Sequence, residues 1–81
     1  MGKASIRSFL TESGTTYVVV ENDGKIKSIE SWKNGRPGDY HFVNCTIGEV
    51  NLWNRVTIEG WCVVNQEEIR ISTSAVVEIF D

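Results

Sequence analysis

Residues 69–79 read IRISTSAVVEI. Isoleucines alternate with Arg70 through Ile69–Ile71, small residues interrupt at Ser72–Ala75, and a β-prone run resumes at Val76–Phe80. Short runs of β-branched residues bounded by small polar ones form strands, because the branched side chains pack well on a pleated surface. The stretch therefore predicts a strand, a single helical turn and a closing strand. Just upstream, Asn65–Glu68 is a polar turn. Before it, Val56–Val64 alternates: Val56, Ile58, Cys62 and Val64 face one way, and Thr57, Glu59, Trp61 and Val63 the other. Gly60 interrupts this strand where glycine marks a bend or a close approach.

The same grammar runs back to the start of the chain. Tyr40–Ile47 alternates, with His41, Val43, Cys45 and Ile47 on one face and Tyr40, Phe42, Asn44 and Thr46 on the other. Val50–Trp53 reads as further strand. Thr15–Glu21 is a strong strand, three valines after a tyrosine, and Lys25–Trp32 returns from it. A three-residue loop, Asn22-Asp23-Gly24, would pair Glu21 with Lys25, Val20 with Ile26 and Tyr17 with Ile29. Ile26 and Ile29 lie three apart, which calls for a bulge near Ser28. Lys33–Asp39, KNGRPGD, reads as an open loop. Ala4–Leu10 fits either a strand or a helical turn.

No window keeps a helical apolar period, and alanine and leucine number two each. At 81 residues there is no room for a second core. The expected fold is one all-β domain over 1–81: a small, strongly bent antiparallel barrel of six or seven short strands. The strand–turn–strand at 69–80 resembles the end of SH3-like small barrels, and that resemblance implies an SH3-like closure. The acidic, aromatic-rich loop of peptide-binding SH3 domains has no counterpart here, so proline-rich peptide recognition is not implied.

Eight basic and eleven acidic residues leave a net charge of -3. Residues 1–40 carry six basic groups, Lys3 among them, against five acidic ones. Residues 41–81 carry two against six, Asp81 included. Duplex binding needs a basic face that displaces many counterions, and the acidic half opposes one. No apolar stretch is long enough for a membrane helix. The start, MGKASIRSFL, lacks a secretory apolar core, so a cytoplasmic setting with reduced thiols is expected.

Candidate chemistry is sparse. Cys45 and Cys62 fall on apolar strand faces and read as buried free thiols. Two cysteines and one histidine, with no CxxC, do not make a four-ligand zinc site. His41 and Cys45 lie four apart on one strand, roughly 13 Å, beyond the reach of a catalytic pair. No catalytic residue, metal or cofactor is expected. Two constellations remain. Lys25, Lys27, Trp32, Lys33 and Arg36 surround a glycine-rich segment suited to an anion: arginine grips phosphate with a fork, and tryptophan stacks on a base. Tyr40, Phe42 and Trp61 suggest a second apolar surface. The leading expectation is a non-enzymatic protein-interaction module that self-associates or captures a larger protein through Tyr40, Phe42 and Trp61. The alternative is a binder of a nucleotide-like anion or short single strand, in the manner of small phage-encoded sequestering proteins.

Overall fold

Valine, isoleucine and aromatic runs separated by tight turns build seven strands: β1 (Ala4–Thr11), β2 (Thr15–Asn22), β3 (Lys25–Lys33), β4 (Arg36–Ile47), β5 (Thr57–Cys62), β6 (Glu67–Ser72) and β7 (Val76–Phe80). The computed structural model describes residues 4–80; Lys3 and Asp81 of the charge balance lie outside them. All ladders are antiparallel, in one sheet of order β6-β5-β4-β3-β2-β1-β7. The described residues contain no helix, and so none long and apolar enough to cross a membrane.

The bend of this sheet follows from simple distances. β6 and β7 lie at opposite edges, yet only residues 73–75 join them. In a flat sheet those edges would stand about 29 Å apart, six strand spacings. From Ser72 to Val76 the chain spans at most about 14 Å. The sheet therefore curls until its edges approach. The ladder stays open, because β6 and β7 form no pairing. The expected helical turn at Ser72–Ala75 is absent. Thr73 does the joining instead: its N–H donates to the Val56 carbonyl at 2.9 Å, and its hydroxyl accepts the Val56 N–H at 3.0 Å.

Phe9, Tyr17, Val19, Ile29, Phe42, Val56, Ile58, Cys62 and Val76 form the buried interior of the curl. Alternation on β5 holds as expected, with Ile58 and Cys62 inward and Trp61 outward and exposed. Val64, expected inward, is exposed. On β4 the expected faces are corrected. Asn44 adopts φ 49° and inserts an extra residue between the Val43–Trp61 and Thr46–Glu59 pairs. That bulge reverses the alternation. Tyr40, Phe42, Cys45 and Ile47 all pack on the core, while His41 and Val43 sit opposite Glu30 and Trp61 on the outer face. The bulge presses on bare backbone: a Cβ at Gly60 would lie 2.5 Å from that of Cys45.

Two turns are tighter than their sequences suggest. β2 and β3 join through Asp23-Gly24 alone, at φ 55° and 77°. Two positive-φ residues match the twist of the flanking strands, and the register moves by one. Asn22 pairs Lys25, Val19 pairs Ile29, and Lys27 is looped out beside Ser28. Glu21 therefore meets Arg7 of β1, at 2.8 Å, rather than Lys25. The segment read as the loop KNGRPGD is a two-residue turn, Asn34-Gly35, followed directly by β4. Conversely, 50–53 is not a strand. It lies in the connection 48–56, touching β7 through a single Leu52–Val76 bridge.

Candidate functional site

The hairpin of β3 and β4 holds a hollow of about 610 Å³. Its origin is a mismatch in strand length. Trp32 pairs with Pro37 and Glu30 with His41, so Ser31 alone faces Gly38, Asp39 and Tyr40. The ladder gapes there, and the Ser31 side chain fills the break. Its hydroxyl donates to the Tyr40 carbonyl and accepts the Tyr40 N–H, each at 3.0 Å. Gly38 is required beside it, since a Cβ there would sit 2.6 Å from the Ser31 oxygen.

Strand alternation and cross-strand pairing place Thr15 and Tyr17 of β2, Ser31 and Lys33 of β3 and Arg36 of β4 on one face of the sheet. Lys33 and Arg36 face each other across the turn, and neither has an ion-pair partner among the described residues. Asp39 lines the same hollow, also without an ion pair. The two tyrosines are braced from behind. Tyr17 stacks on buried Phe9 with ring centres 5.3 Å apart, and Tyr40 on buried Phe42 at 5.8 Å. Tyr17 is only 5% exposed. Its hydroxyl has no hydrogen-bond partner among the described residues, yet no fully buried polar atom there lacks one, so the hydroxyl opens into the hollow. Burial pushes its pKa up, and nearby Tyr40 and Asp39 push it the same way. At neutral pH it is a protonated donor held on a rigid ring.

The sequence-derived anion set is thus divided. Lys33 and Arg36 reach the hollow. Lys25 and Lys27 sit at the far end of β3, roughly 20–25 Å away by strand rise. Trp32 cannot join Lys33, because neighbours on a strand point to opposite faces; it lies on the outer side with Pro37 and His41. The expected Tyr40, Phe42 and Trp61 surface also does not assemble. Phe42 is fully buried as a core residue, Tyr40 faces the hollow, and Trp61 lies on the opposite face of the sheet beside Val43. Thr15 and Tyr17 were not singled out by the sequence reading. The free cysteines stand apart: Cys62 is buried, and burial pushes the Cys45 thiol pKa up, away from nucleophilic behaviour. A scan against family models, a search of curated proteins and a search of solved structures each find no match to this chain.

Proposed function

We propose that this protein is a non-enzymatic binding protein that holds a small phosphate-bearing ligand, nucleotide-like in size, in the β3–β4 hollow. The observation that carries this reading is the union of two unpaired cations, Lys33 and Arg36, with the unpartnered hydroxyl of a buried Tyr17 at one hollow. Such donors satisfy several oxygens of one anion at once, and arginine adds a two-pronged grip. The volume falls within the range of small-molecule sites, about 300–1,000 Å³. Lys33 and Arg36 supply cations, Tyr17 and Tyr40 supply donors and Asp39 supplies a carboxylate, a set suited to holding a ligand. A cytoplasmic setting suits the free thiols of Cys45 and Cys62.

Titration with adenosine monophosphate, followed by amide NMR shifts, tests the proposal. Shifts should concentrate at Thr15, Tyr17, Lys33, Arg36 and Tyr40, and Lys33→Ala with Arg36→Ala should abolish them. Binding that survives the double substitution sinks the assignment. Excess absorbance near 260 nm in the protein purified from its host, lost on denaturation, would reveal a retained ligand. The protein-interaction reading keeps one specific support. Trp61, Val63 and Val64 are exposed in sequence on and just beyond β5, and such apolar groups are suited to an interface.

A further inference from the structure

Resting on that reading of the hollow, the geometry points to a ligand with two unlike ends. Lys33 and Arg36 line one hollow together with Asp39, yet no cation of the pair lies within 4.0 Å of that carboxylate. Opposite charges confined to one site normally close on each other when chain geometry permits. Here the charges are carried at separate places on the hairpin. Lys33 and Arg36 flank the turn, whereas Asp39 sits in the three-residue bulge that Ser31 pins through Tyr40.

We infer that Asp39 is a specificity-determining residue, which selects a phosphate ester carrying its own hydrogen-bond donor against a bare polyanion. The oxyanion end lies between Lys33 and Arg36, where it meets positive charge and the Tyr17 hydroxyl. The other end must present a hydroxyl or amine, since an ionised carboxylate only accepts hydrogen bonds. A ribose hydroxyl or a base amino group meets that need. Pyrophosphate meets it poorly: the proton it keeps at neutral pH sits on a phosphate that is still negatively charged, and that phosphate is driven against Asp39. Discrimination of this kind works by repelling the wrong ligand as much as by holding the right one. Asp39 is the one carboxylate among the residues that line the hollow; Thr15, Tyr17, Ser31, Asn34 and Tyr40 add neutral polar groups that can both donate and accept.

Calorimetry on the intact chain tests this with two probes, adenosine monophosphate and inorganic pyrophosphate. The wild-type protein should bind the monophosphate more tightly. Asp39→Asn, an isosteric change at an exposed position, should strengthen pyrophosphate binding about ten-fold by removing the like charge. Asp39→Ala, which also removes the acceptor, should weaken the monophosphate. If both variants bind both probes as the wild type does, the role given to Asp39 is overturned, while loss of binding in Lys33→Ala and Arg36→Ala would still uphold the site. A wild-type protein that binds neither probe overturns the site and this inference together. A wild-type preference for pyrophosphate overturns the inference alone.

Discussion

The two ends of β3 begin alike and finish differently. Each leaves through a two-residue turn of the same shape, Asp23-Gly24 at φ 55° and 77°, Asn34-Gly35 at 54° and 75°. Each carries two cations, Lys25 with Lys27 and Lys33 with Arg36. At the first end the surplus residue, Lys27, is on β3 and is simply looped out, so the ladder closes behind it. At the second end the surplus lies on β4, three residues against Ser31, and the strands part around a hollow. Both ends carry two cations. Strand length mismatch opens a hollow at one of them.

Four predictions test that contrast, taken from the largest effect to the smallest. Gly38→Val drives a side chain into Ser31 and should cost about 3 kcal/mol in urea unfolding, near the upper end for overpacking. A loss under half that value would mean the bulge adapts freely. Next, Ser31→Ala leaves both polar groups of Tyr40 without their partner and should cost about 1–3 kcal/mol. Ser28→Ala, at the closed end, should stay within about 0.5 kcal/mol, the usual scale for a substitution that breaks no such feature. Equal costs for the two serines would erase the distinction between the ends.

The third prediction separates binding from stability. Lys33→Ala with Arg36→Ala should lose adenosine monophosphate binding while unfolding as the wild type does, and Lys25→Ala with Lys27→Ala should change neither. Loss of binding in the second pair would relocate the site. The smallest effect concerns pH. Tyr17 is protonated more tightly when folded than when unfolded. Above the unfolded value of about 10, the unfolded chain releases that proton first, so stability declines as pH rises from there through the raised folded value. Below about pH 10 the contribution is complete. Tyr17→Phe should flatten this decline in pH-dependent melting, and an unchanged slope would deny Tyr17 its special surroundings.

Much of the strand plan could be read from residues alone. Val56, Ile58 and Cys62 sit in the interior, as the alternation of their run predicts. Reading failed where one residue shifts a register. Asn44, in a left-handed conformation, turned the faces of β4 over and sent Phe42 to the core. Asn22 proved to be strand, not loop, which released Glu21 from Lys25 and gave it to Arg7. Half of the site was legible, since Lys33 and Arg36 flank a recognisable turn. Tyr17 was not, because only the β2–β3 register brings it beside that turn. Trp32 could have been excluded from the start: on any strand it must oppose Lys33.

The short crossing at residues 73–75 has a kinetic consequence. From β1 to β6 every ladder joins neighbours in sequence, so each can zip locally from its own turn or, between β4 and β5, from the connection 48–56. β7 alone must find a strand from the other end of the chain, where Phe80 meets Ser8. Its closure entropy is greatest, and nothing repays it until the meander has already curved. Folding should therefore end with β7 docking on β1, and unfolding should begin there. In hydrogen exchange, amides of β7 should open sooner than those of β3.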